Sequence, residues 1–189
     1  MKPLYGVALG LVIIALYAKS GDLDLLPDSL GWVLVLIALN VLTRRVELRF
    51  RSALWAAGML ALAASVALTV PSVRDWFEDA EPALAWAVDV PALGFCGLLC
   101  AALASVARAA DAIAAYSCFH WTAIGFGVSV LAPVLVIGGD VDALRGPAEL
   151  VTGIAQLGLF VLCLWYGGRE WAGAPPLAQD AGSPADAAE

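Results

Sequence analysis

The chain has 189 residues, of which 62% are apolar and only 14% charged, with a mean hydropathy of +0.87. That composition excludes an ordinary water-soluble domain, in which about half the residues are apolar. A net charge of −7 offers no basic surface to a phosphate backbone, which excludes nucleic acid as a partner.

The apolar residues fall into blocks close to the ~20 residues that cross a hydrocarbon core at about 1.5 Å per residue. A first span is predicted from Pro3 to Ala18. Leu16 stands where a signal-peptidase site needs a small side chain, so this segment reads as an uncleaved helix. The polar turn 19–28 leads to a second span, Leu30 to Leu42, and the two form a hairpin. The basic segment Thr43–Ser52 follows, with Arg44, Arg45, Arg49 and Arg51, and then a third span from Ala53 to Val70.

An acidic loop from Pro71 to Val90 carries Trp76, Phe77, Leu84 and Trp86. It predicts a short amphipathic helix lying at the membrane interface. The fourth span is expected to open at Pro91, since proline suits a first helical position, and to end at Ala107. The fifth runs from Trp121 to Ile137 and the sixth from Ala148 to Tyr166. Residues 1–168 thus form a transmembrane helical bundle, and 169–189, rich in Ala, Pro, Gly and Asp, form a disordered cytoplasmic tail.

Orientation follows the distribution of lysine and arginine. With the N-terminus inside, Lys2, Arg44, Arg45, Arg49, Arg51, Arg108 and Arg169 are cytoplasmic, and Lys19, Arg74 and Arg145 face outward. The expected fold is an all-α polytopic membrane bundle of six transmembrane helices, arranged as three hairpins with both termini cytoplasmic. The expected location is the cell membrane.

Candidate sites stand beside their structural alternatives. Asp22, Asp24 and Asp28 are a candidate outer mouth for a cation or substrate, although Asp28 or Ser29 equally caps the second helix. Ladders of small residues, Ala57, Ala61 and Ser65 in span three and Gly97, Ala101 and Ser105 in span four, predict direct packing of those two helices. Asn40 and Gln156 are amides that cannot be satisfied within their own helices and form a candidate polar path. Pro133 is a candidate hinge, because it frees a carbonyl inside span five.

Cys96 and Cys100 share a helical face but lack the three or four convergent ligands of a soft-metal site. Cys118 and His120 are two apart on a helix and do not face each other. No catalytic set, metal or cofactor is expected.

The string Asp24-Leu-Leu-Pro27-Asp28-Ser-Leu-Gly31-Trp32 resembles the first-loop signature D-x-L-P-D-x-x-G-[YW] of small uncharacterised polytopic membrane proteins of Gram-positive bacteria. The resemblance implies membrane residence and a bacterial source and carries no activity. The sequence therefore points to a non-enzymatic membrane module that packs with another membrane protein or with itself. The alternative is a small transporter or channel using Asn40 and Gln156.

Overall fold

A computed structural model describes residues 2–15, 19–20, 23–24, 28–70, 72–73, 76, 82–139 and 142–175. Six α-helices carry the described chain: α1 Pro3–Ala15, α2 Asp28–Arg45, α3 Arg51–Leu68, α4 Pro82–Ala109, α5 Ile113–Gly138 and α6 Arg145–Tyr166. Four of them, α3 to α6, are long and apolar enough to cross a membrane, and α1 is a shorter apolar helix. The only pairing outside the helices, among the described residues, is a two-residue antiparallel ladder of Lys19 with Asp24 and Ser20 with Leu23.

The ends of these helices follow local chemistry. Asp28 opens α2 and Arg44 and Arg45 close it, each sign matching the end of the helix dipole it sits on. Between α4 and α5, Asp111 adopts a left-handed conformation with φ 55°. The amide of Ala112 donates to the carbonyl of Ala107 at 2.9 Å and that of Asp111 to Arg108 at 3.2 Å. This double bond pattern is the Schellman closure of a helix end, and it turns the chain back within three residues.

Most helices start before their expected first residue, and two start well before it. The fourth helix starts at Pro82 and carries Pro91 in its interior, so residues 82–90 belong to it and not to an interfacial loop segment. Pro91 is therefore no first-turn residue; the backbone donor it lacks costs the helix one bond, and the apolar run on both sides carries the helix through. The fifth helix starts at Ile113, so Cys118, His120 and Trp121 lie within it.

Sequential helices pack side by side, and α6 returns to α1, which closes a ring. Gly10 of α1 meets Gly31 and Val35 of α2, Gly97 of α4 meets Phe126 of α5, Gly125 of α5 meets Ala155 of α6, and Gly167 after α6 meets Tyr5 of α1. The small residues stand at these crossings because close backbone approach gains dispersion energy.

Of the four long apolar helices α4 is the most buried, with 44% of its apolar window inside, against 17% for α3 and α6 and 22% for α5. Its Phe95, Leu99, Cys100, Leu103 and Ala107 are fully enclosed, and Phe95 meets Trp32 of α2 edge-to-face at 5.4 Å between centroids. The outer faces are apolar as well: Leu9, Ile37, Leu60, Leu131, Leu150, Leu157 and Trp165 are all exposed.

The packed chain continues past residue 168, where the bundle was expected to end. A 3₁₀ turn, Glu170–Ala172, tucks under the end of the ring with Ala172 and Ala174 buried. Trp171 lies 5.6 Å from Tyr166 and 6.4 Å from Phe119, centroid to centroid. Arg45 donates from Nη1 to the carbonyl of Gly173 at 2.9 Å. The rest of the expected tail, 176–189, lies outside the described residues.

Candidate functional site

Among the described residues a cleft lies in the half of the bundle away from the basic end. It comprises two adjoining cavities. The first, about 520 Å³, lies between α1, α4, α5 and α6, with Trp32 of α2 at its side. Its walls are Leu11, Ile14, Ala15, Leu93, Cys96, Phe126, Leu157, Leu159 and Phe160, so almost every contact it offers is apolar. The second, about 360 Å³, lies between α5 and α6 and is lined by Ser129, Pro133, Arg145, Glu149 and Thr152 among others. Gly153 and Gln156 line both.

The seam between α1 and α6 explains the opening. The two helices are in contact where Tyr5 lies against Gly167, so closely that a Cβ at that glycine would stand 2.5 Å from the ring. One to three turns further along, Leu11 and Ala15 on one side and Phe160 and Leu157 on the other no longer close the gap and become cavity wall. Gly153 continues the opening, since a Cβ there would meet nothing within 4 Å.

The candidate polar path is not drawn together. Gln156 is exposed and lines both cavities, whereas Asn40, half-buried, lines neither. The hydroxyls that such a path would recruit are occupied by their own helices: Ser105 donates to Ala102 at 2.6 Å, and Thr122, Ser129 and Thr152 to Cys118, Gly125 and Ala148 at 2.9 Å. This local back-bonding satisfies the side chain without any partner helix. Thr43 likewise donates to the carbonyl of Asn40 at 3.1 Å, leaving the carboxamide of Asn40 uninvolved in that bond.

Of the candidate outer mouth, Asp22 lies outside the described residues, Asp24 is in the short ladder and Asp28 is the exposed first residue of α2. Among the described residues no three His, Cys, Asp or Glu side chains converge as a metal site would require. Cys96, Cys100 and Cys163 are buried free thiols and Cys118 is exposed.

The small-residue ladders have divided roles. Helices α3 and α4 do pack together, with Ala61 buried and Ala57 and Ser65 half-buried. Gly97, however, is turned toward α5, where its Cβ position lies 3.2 Å from Phe126 Cβ, and Ala101 and Ser105 are half-buried. The tight point on α3 is Gly58, whose Cβ position lies 2.8 Å from Leu36 and 3.3 Å from Phe95. Pro133 is inside α5, on the wall of the second cavity.

The closest backbone-to-backbone approach between helices at any of the glycines, Gly10 against Gly31, was missed by the sequence reading. Its signal was present as Gly6-Val-Ala-Leu-Gly10, the small-x-x-x-small spacing of close helix pairs. Compared with protein-family models, curated proteins and solved structures, the chain matches none. The fold and cleft therefore define the class directly: an all-α bundle with four helices suited to a membrane and an apolar cleft in one half.

Proposed function

We propose that the chain is a multi-pass protein of the cell membrane, crossing six times with both termini cytoplasmic, and that it works without catalysis, by binding within the bilayer. The observation that carries this reading is the apolar outer surface shared by the helices, from Leu9 and Ile37 to Leu131, Leu150 and Leu157. Soluble monomers rarely expose contiguous apolar patches beyond a few hundred Å², whereas hydrocarbon is the solvent that such a surface suits.

The ends support the orientation. Lys2, Arg44, Arg45, Arg49, Arg51, Arg108 and Arg169 gather where the termini lie, the side on which lysine and arginine are retained during insertion. Helix α1 has 13 described residues, about 20 Å of helix, and its packing against α2, with Gly10 at Val35 and Ile14 at Gly31 in antiparallel order, supports reading both as crossings.

A binding module fits the site better than a transporter. A path through Asn40 and Gln156 has support at Gln156 alone, because Asn40 lines neither cavity. The closed ring, the locally satisfied hydroxyls and the apolar cleft instead suit a partner with apolar surface, either another membrane protein or a membrane lipid.

The test is carbonate extraction with reporter fusions and in-membrane crosslinking. Retention in the membrane, a fluorescent C-terminal fusion and an active secreted-phosphatase fusion at the α5–α6 turn are the expected results. Extraction into the aqueous phase, or the reverse pattern of reporters, overturns the reading of location or orientation respectively. Steady uptake of a solute that depends on both Asn40 and Gln156 would instead establish transport.

A further inference from the structure

We propose that the two joined cavities form a lipid site that takes one zwitterionic phospholipid of the phosphoethanolamine class. Its phosphate would lie at Arg145, its ammonium at Glu149, and one acyl chain would pass Gly153 into the apolar cavity. The inference rests on the membrane reading above and gives the binding module its ligand.

The apolar chamber is within the ~300–1,000 Å³ of small-molecule sites, at about 520 Å³. It opens along the seam between α1 and α6, past Leu157, which is 64% exposed. In a bilayer that opening faces acyl chains, and an apolar void of this size next to them is filled by one. The chamber therefore selects for a chain and not for a water-borne solute.

The second cavity supplies the headgroup chemistry. Arg145 and Glu149 both line it, one helical turn apart on α6, where i and i+4 side chains are neighbours about 5–6 Å apart at Cβ. Among the described residues neither is engaged in an ion pair. An anionic headgroup would gain Arg145 but meet repulsion from Glu149. A phosphate joined by a short link to an ammonium matches both signs at once, and such complementarity sets specificity more than it sets raw affinity.

Gly153 joins the two parts. It lies two turns below Arg145, lines both cavities, and has open space where its side chain would be. It has no packing contact that demands glycine. The missing side chain keeps the passage clear between the polar head and the apolar chamber.

The full chain, purified in mild detergent from membranes containing phosphatidylethanolamine and phosphatidylglycerol, is examined by native mass spectrometry. One bound phosphatidylethanolamine is expected on the wild type. Gly153→Phe is expected to lower its occupancy by about tenfold or more while the thermal unfolding midpoint is kept. Glu149→Gln, on an exposed helix face, is expected to abolish the preference for phosphatidylethanolamine over phosphatidylglycerol. Undiminished lipid in folded Gly153→Phe, an unchanged preference in Glu149→Gln, or a membrane-extracted wild type with no lipid overturns the site and leaves the membrane reading intact. A chain recovered in the aqueous fraction overturns both.

Discussion

Gly10 and Gly31 face each other across α1 and α2 so closely that a Cβ on either would stand 2.7 Å from the carbonyl oxygen of the other. Backbone cannot yield to a methyl group as a side-chain tip can. Gly10→Ala or Gly31→Ala is expected to force the helices apart at a cost of about 1–3 kcal/mol, typical of overpacking. Gly94→Ala, where the added atom meets nothing within 4 Å, is expected to be neutral or to stabilise by up to about 1 kcal/mol through helix propensity. Thermal unfolding in detergent reads all three; equal midpoints for Gly31→Ala and Gly94→Ala would show that the crossing is looser than this.

Because the two glycines share one contact, the double variant Gly10→Ala/Gly31→Ala is expected to cost less than the sum of the singles. Once one methyl has separated the helices, the second finds room. Coupling between contacting residues is commonly about 0.5–3 kcal/mol, and a double-mutant cycle measures it directly. Strict additivity would mean that each substitution acts within its own helix.

The segment after α6 acts as a clasp on the ring. Arg45 holds the carbonyl of Gly173, Trp171 lies against Phe119 and Tyr166, and Gly173 takes φ 83° with Pro3 3.1 Å from its Cβ position. A chain ending after Gly168 is expected to be about 2–4 kcal/mol less stable than one ending after Pro175, as for loss of a half-buried aromatic and a charge-assisted bond together. Gly173→Ala should lose about 1 kcal/mol from the left-handed backbone alone. Indistinguishable melting of the two truncations would remove the clasp.

Much of this architecture was legible in the chain and some was not, for physical reasons. Spans three, five and six announce themselves because a long apolar run has no other use, and the basic residues mark one end whatever the packing. The start of α4 was hidden by Pro91, which looks like a first-turn residue until the helix before it is seen. The clasp was hidden because a stretch of small and polar residues reads as disordered, with Trp171 as its one sign of an anchor. Neither cavity could be read, since a void is a property of how Leu11, Phe126 and Phe160 meet from three different helices. The amides show the same limit: composition marks Asn40 and Gln156 as alike, and only packing places one on the cleft and the other away from it.

The thiols give a direct test of the packing. Cys100 and Cys163 are enclosed by the bundle, Cys96 is on the wall of the apolar cavity, and Cys118 is on the outer face of α5. A small maleimide added to the folded protein in detergent is expected to label Cys118 first, Cys96 more slowly by way of the cavity, and Cys100 and Cys163 only after unfolding in dodecyl sulfate. Reaction follows access to thiolate, so rapid labelling of Cys100 in the folded state would show that α4 is not the enclosed helix described here.

Gln156 and Asn40 separate the readings of function. Gln156 is exposed on the cleft with Gly153 beside it, and in hydrocarbon an unpaired amide is costly. Without a ligand, Gln156→Leu is expected to leave stability unchanged or raise it by up to about 1 kcal/mol, because a polar group leaves the apolar wall. With a ligand that hydrogen-bonds the amide, the same substitution must lower the ligand-dependent rise in the unfolding midpoint, since only binding to the folded state produces such a rise. Asn40→Leu, away from both cavities, is expected to leave that rise untouched. Equal losses from both substitutions would join the two amides in one site and restore the path between them; a loss confined to Gln156 assigns the cleft as the binding element of the bundle.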